Sequence, residues 1–133
     1  MKTLRISSPL PQDLEQLVQS VIGAAIAVHT ALGPGLQETI YSRALASELR
    51  AKSIPFEIEF ILPVLYRDEI VSHQRVDLFV DGRLVVEVKA VERLAPIHVA
   101  QVLSYLRLTR ARIGLLVNFN TDHVRSGIRR VIL

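Results

Sequence analysis

Apolar residues from about Leu14 to Leu32 (Leu17, Val18, Val21, Ile22, Ala25, Ile26, Val28 and Leu32) largely recur at helical spacing, which predicts an amphipathic helix whose alanines permit close packing. Gly33-Pro34-Gly35 ends it, because proline cannot continue the ladder and glycine tolerates the turn. A second helix is predicted from about Gln37 to Lys52, with Ile40, Ala44, Leu45 and Leu49 as its core stripe. From Pro55 the pattern changes to strands: FEIEFILPVLY, DEIVSHQRVDLFV and RLVVEVKA read as an antiparallel meander with Arg67-Asp68-Glu69 at the first turn. Pro96 suits the first turn of a third helix, running to about Thr109 with Val99, Val102, Leu103 and Leu106 apolar. Arg112 to Asn118 is a short buried strand, and from about Asp122 the chain continues as a helical or extended tail. Residues 1–10, with Pro9 and Pro11 at their end, read as a loose arm.

Three charges interrupt this pattern. Asp77, Glu87 and Lys89 lie in arms dominated by valine, leucine and phenylalanine, and a carboxylate leaving water loses several kcal/mol unless it is paired, hydrogen-bonded or bound to metal. Two acids and a lysine at one end of a hairpin therefore point to a metal site. The turn decides whether they can meet. A two-residue type I′ loop of Asp81-Gly82 would set Asp77 and Glu87 on opposite sheet faces. A three-residue loop, Val80-Asp81-Gly82, with Gly82 left-handed in a G1 bulge, sets Phe79 opposite Arg83 and Asp77 opposite Val85. Glu87 is then the same-face diagonal neighbour of Asp77, with Lys89 two residues further on that face. The functional reading requires this bulged turn.

Composition narrows the chemistry. The 133 residues suit a single domain spanning 1–133, and no apolar run approaches the ~20 residues of a membrane span. The N-terminus lacks the hydrophobic core of a signal peptide, which leads to an expectation of a cytoplasmic protein. With no cysteine, any metal must be held by oxygen or histidine. A net charge of +3 leans toward a polyanionic partner without establishing one.

Helix, three antiparallel strands, helix, strand: this order resembles the αβββαβ core of the PD-(D/E)XK nuclease superfamily, an α/β (α+β) restriction-endonuclease-like fold with a central mixed sheet flanked by helices. Asp77 followed by Glu87-Val88-Lys89 resembles its central signature. Gln101 to Tyr105 is similar to the QxxxY helix motif of the RecB-type branch, and Gly35, Glu38 and Tyr41 match the pattern that names the GxxExxY protein family. The likeness extends from about Leu14 to Ile132; Val76 rather than a proline precedes Asp77, a departure that many members of the superfamily share.

This resemblance implies a metal-dependent nuclease that hydrolyses phosphodiester bonds. Asp77, Glu87 and the Val88 carbonyl would bind Mg²⁺ or Mn²⁺, an all-oxygen set proper to hard cations, with Glu38 contributing directly or through a metal-bound water. Lys89 would orient or activate the attacking water, and Gln101 and Tyr105 would contact the nucleic-acid end or a metal-bound water. Tyr41 could hydrogen-bond a ligand or a site carboxylate, whereas Gly35 serves the turn. Arg107, Arg110, Arg112, Arg125, Arg129 and Arg130 are the supply for phosphate contacts, with Arg125 and Arg129 on one face if the tail is helical. The partner is nucleic acid, DNA favoured over RNA, with no membrane; a homo-oligomer or a larger complex stays open. Bland readings compete: the three charges as a structural ion-pair network, Glu38 as a helix-dipole acid, His29 and His98 as hydrogen-bonded core residues. A non-catalytic nucleic-acid- or protein-binding module, or a subunit of a larger system, is the alternative to an enzyme.

Overall fold

The computed structural model describes residues 10–133. The expected loose arm therefore lies outside the described residues except for Leu10, which is buried in the core. Helix α1 (Gln12–Leu32) ends at Gly33 and is followed by α2 (Glu38–Ala51). Strands β1 (Phe56–Tyr66), β2 (Glu69–Val80) and β3 (Leu84–Lys89) precede α3 (Pro96–Thr109), and β4 (Ile113–Asn118) leads through a 3₁₀ turn, Val124–Gly127, into β5 (Ile128–Ile132).

The five strands form one sheet in chain order, β1 to β5. Only β3 and β4 are parallel, so their connection needs a crossover, and α3 supplies it. Each face of the sheet carries helices. Under α1 and α2, Val18, Val21, Leu45 and Leu49 meet Leu78, Val86 and Leu115; under α3, Val102, Tyr105 and Leu106 meet Val85, Leu116 and Val131. Strands β3 and β4 are buried on both faces, which explains their unbroken apolar runs and makes Glu87 conspicuous.

Several expectations shift by a residue or a conformation. Ile40 is exposed, and the buried stripe of α2 is instead Tyr41, Leu45, Ala46 and Leu49, because one helical position turns a side chain through about 100°. Leu32 is exposed as well, on the last residue of α1. The first hairpin turn has two residues, Arg67 and Asp68, both at positive φ, so Glu69 already belongs to β2 and pairs with Tyr66. The tail is not a helix: it is the 3₁₀ turn and a strand satisfying the outer edge of β4, from Ile113↔Ile132 to Val117↔Ile128. Arg125 and Arg129 consequently lie on different elements and share no helical face.

A Cβ on Gly127 would collide with the Asn118 carbonyl, a backbone atom that cannot move aside. Gly127→Ala should therefore destabilise the fold by about 1–3 kcal/mol through overpacking. Urea denaturation checks it, and an unchanged midpoint would contradict this account of the β4–β5 connection.

Candidate functional site

The site begins at an irregularity in β2. The β1–β2 ladder pairs Ile58 with Leu78 and Phe60 with Val76 but skips Glu59 and Asp77, and Glu59 is left-handed at φ 54°. Leu78 is buried under α1 and α2, whereas Val76 is buried under α3, so the strand changes faces around Asp77. The β2–β3 ladder likewise stops at Leu78↔Val86. Beyond it, the Asp77 carboxylate replaces a backbone partner: its Oδ2 accepts the Val88 N–H at 2.7 Å.

The turn joining these strands corrects the expected register. Val80 faces Leu84 and Phe79 faces Val85, leaving Asp81-Gly82-Arg83 as the loop. Phe79 is not opposite Arg83, nor Asp77 opposite Val85. Gly82 has the expected positive φ of 63°, but Asp81 is also left-handed, at 53°. The Arg83 N–H closes the turn on the Val80 carbonyl at 3.0 Å, while its guanidinium binds Asp13 at 2.6 Å and Asp81 at 2.8 Å. Continued one step, this register sets Asp77 directly opposite Glu87 rather than diagonal to it. Their carboxyls are within hydrogen-bonding reach of each other.

Glu87 faces α3, since Val86 and Val88 on either side of it pack toward α1 and α2. It is only 4% exposed. Burial first, and then the hydrogen bond and charge of Asp77, push its carboxyl up from 4.5 to about 9. Lys89 opposes this shift but stands 3.9 Å away, at the outer limit of an ion pair, so burial and the neighbouring acid win. Glu87 is therefore biased toward its protonated, neutral form. Tyr105, from α3, hydrogen-bonds Glu87; burial and then the two carboxylates push its phenol up to about 12, keeping it a donor.

The backbone adds a further acceptor. In a strand, the N–H and C=O of one residue point to the same side. The Val88 N–H points at Asp77, so its carbonyl opens into the same gap, where the β2 ladder has ended. Lys89 points its carbonyl the other way, to the Phe119 N–H at 2.9 Å. Gln101 lies one helical turn before Tyr105, and its Oε1 is buried with no hydrogen-bond partner. An orphaned buried acceptor costs about 1–3 kcal/mol. Two close carboxyls and a free carbonyl direction fit a hard divalent cation with its water shell.

Glu38 is only partly gathered in. It is the first residue of α2, exposed, and its Oε1 accepts the Ala90 N–H at 3.4 Å, just past the end of β3. Among the described residues no three His, Cys, Asp or Glu side chains are grouped so as to hold a metal ion, so Glu38 does not form one cluster with Asp77 and Glu87. Tyr41 is turned away from the carboxyls. Its ring stacks on Phe119 at 4.6 Å, and its hydroxyl donates to the Gly33 carbonyl at 2.5 Å and accepts from the Leu36 N–H at 3.1 Å, bracing the Gly33–Gly35 turn. Gly35, at φ 101°, serves that turn as expected. His29 Nε2 donates to the Thr121 carbonyl at 2.7 Å, and His98 Nδ1 accepts the Ala95 N–H at the start of α3, so both have structural partners.

The arginines are dispersed. Arg107 and Arg110 lie near the end of α3 and Arg112 just before β4, while Arg125 follows β4 at its other end. Arg129 is exposed on β5, and Arg130 is held by both oxygens of Glu15. Asn118 is the residue that sequence reasoning missed. Buried at the end of β4 beside Lys89, it accepts from Val91 N–H at 3.0 Å and donates to the Val91 carbonyl at 2.8 Å, clamping the chain as it leaves β3. A polar residue closing the apolar run LLVN was the available signal.

Two predictions come from this geometry. Glu87 takes up protons more readily folded than unfolded, so its stabilising contribution is full below pH 4.5 and is lost as pH rises through about 9. Metal-free protein should lose stability across that window, and Glu87→Gln should flatten the dependence; parallel curves for both proteins in denaturant titrations would contradict the raised Glu87 carboxyl. Asn118→Ala should unlatch Val91 and cost about 1 kcal/mol by removing the hydrogen bonds to its half-buried backbone. Hydrogen exchange should quicken at Val91, and unchanged protection there would count against the clamp.

Comparison with known proteins bears on the same residues. A family model described as the PD-(D/E)XK nuclease superfamily matches residues 15–131. No curated protein matches significantly. The crystal structure of SSO0001 superposes with a TM-score of 0.56 at 20% identity, covering 90% of this chain, which spans 59% of that structure's length. At that identity the likeness concerns the fold alone. With its mixed five-stranded sheet between helices and a family match over nearly its whole length, the chain belongs to the PD-(D/E)XK nuclease superfamily.

Proposed function

We propose that this protein is a Mg²⁺- or Mn²⁺-dependent nuclease hydrolysing phosphodiester bonds, and that it belongs to the GxxExxY branch on Gly35, Glu38 and Tyr41, with a RecB-type Gln101–Tyr105 motif. One observation carries the reading: the Asp77 carboxylate displaces a ladder bond to stand opposite a buried Glu87, with Lys89 beside it. Crowding two acids in this way disfavours their ionised forms, a cost that a bound cation would relieve. Asp77, Glu87 and the Val88 carbonyl would hold the metal, with Glu38 reaching it through water. A bound divalent ion would supply charge neutralisation at the phosphate and a more acidic water.

The chain's own groups supply the rest. Lys89 orients the attacking water and offsets charge on the phosphate. The Tyr105 phenol, kept protonated, donates toward Glu87 and holds it in place. Gln101 offers its unpartnered oxygen to a water hydrogen at the site. Exposed arginines such as Arg107 contact phosphates. The partner in this reading is nucleic acid, DNA favoured, and the setting is the cytoplasm. No described helix is long and apolar enough to cross a membrane.

The peripheral position of Glu38 supports a second reading, a non-catalytic nucleic-acid-binding module retaining part of the charge cluster. Two measurements separate them. Purified protein should cleave oligonucleotides with Mg²⁺ or Mn²⁺ but not in EDTA, and Lys89→Ala should abolish cleavage while leaving salt-sensitive binding intact. Binding without metal-dependent cleavage would favour the module. Thermal melts should show stabilisation of about 2.7 kcal/mol at a free metal concentration one hundred times the dissociation constant. Asp77→Asn should shrink that gain, and a melt indifferent to Mn²⁺ would remove the metal from the proposal.

A further inference from the structure

A groove of about 370 Å³ runs between the β1–β2 hairpin and α3. Val64 and Gln74 line it from the hairpin; Gln101, Ser104, Tyr105, Arg107 and Leu108 line it from the helix. Tyr105 also bonds Glu87, so one residue is common to the groove and the carboxyl pair. Its chemistry is not that of a phosphate track, which would be lined with cations. Gln74 on β2 and Gln101 on α3 contribute carboxamides, Ser104 adds a hydroxyl from α3, and Val64 and Leu108 provide apolar surface. Planar heterocycles ask for this combination: apolar contact for the faces and amide hydrogen bonds for the edges.

Resting on the nuclease reading, we propose that this groove holds an unpaired nucleobase of the substrate strand, next to the bond cleaved. The substrate is then single-stranded, frayed or flipped at the cleavage site. A stacked, paired base in a duplex cannot enter a groove of this size with its Watson–Crick edge available to Gln74 and Gln101. Arg107, the one charged side chain among the described lining residues, meets the neighbouring backbone phosphate. The hairpin wall gives the groove its depth: β2 residues 69–75 extend beyond the β3 ladder and form a ribbon with β1 facing α3.

Fluorescence titration of wild-type protein in EDTA with a single-stranded oligonucleotide carrying an internal 2-aminopurine tests this, against the same strand in a blunt duplex. The single strand should bind at least tenfold more tightly, with a change in 2-aminopurine emission as the base leaves its neighbours. Ser104→Trp, which fills the groove from an exposed helix position, should erase both effects, and Gln74→Leu should weaken the preference several-fold. Melts establish that each variant is folded, and Gln74→Leu alone decides the matter if Ser104→Trp is not. Equal affinity for both forms, or variants that behave as wild type, overturns the base pocket. Cleavage assayed in Mn²⁺ separates the two readings. Equal cleavage of duplex and single strand, unaltered in the variants, removes the pocket and keeps the nuclease. Selective base binding without cleavage keeps the pocket and removes the nuclease.

Discussion

One hydrogen bond organises the candidate site: Asp77 accepting the Val88 N–H where β2 and β3 part. A side chain can take over a backbone pairing only if the strand leaves its ladder, and β2 does so opposite the left-handed Glu59. The same departure turns Val76 and Leu78 into different cores, letting the hairpin beyond it lean on α3 while the sheet behind it packs under α1 and α2. It also brings the Asp77 carboxyl to Glu87 and leaves the Val88 carbonyl directed into the gap. Local strain, core assignment and site chemistry thus share one cause.

The energetics of that arrangement run against the metal-free protein. A buried glutamate beside an aspartate carries a carboxyl pushed up to about 9, and Lys89 is too distant to offset it. The surrounding structure holds the acids in place regardless. Asn118 pins Val91, Phe119 takes the Lys89 carbonyl, and the apolar residues of β3 are buried on both faces. Such preorganisation is how a rigid scaffold keeps two carboxyls side by side against their mutual repulsion.

Division of labour between the two sheet faces follows. The α1–α2 side is nearly all apolar and contributes stability, with Tyr41 and His29 spent on bracing turns around Phe119. The α3 side carries the polar groups: Glu87, Tyr105, Gln101 and the groove that the latter two line. This explains why a tyrosine in the GxxExxY pattern is a packing residue here while the tyrosine of α3 is at the site.

The element order, both helix boundaries around Gly33-Pro34-Gly35 and the three interrupting charges were legible in the sequence, because hydrophobic period, glycine, proline and a charge within an apolar run are local signals. The αβββαβ fold followed from their order. Other features depended on partners distant in the chain. The exposed Ile40 and buried Tyr41 were settled by where Phe119 lies, and the tail became a strand because β4 had an unpaired edge. The hairpin register was misjudged, since Arg83 left the ladder to bind Asp13, 70 residues away. Glu38 was legible as an acid at a helix start, but its distance from the carboxyl pair was fixed by how α2 docks against β3. Periodicity reports which face a residue occupies; only tertiary packing sets how closely two faces bring their charges together.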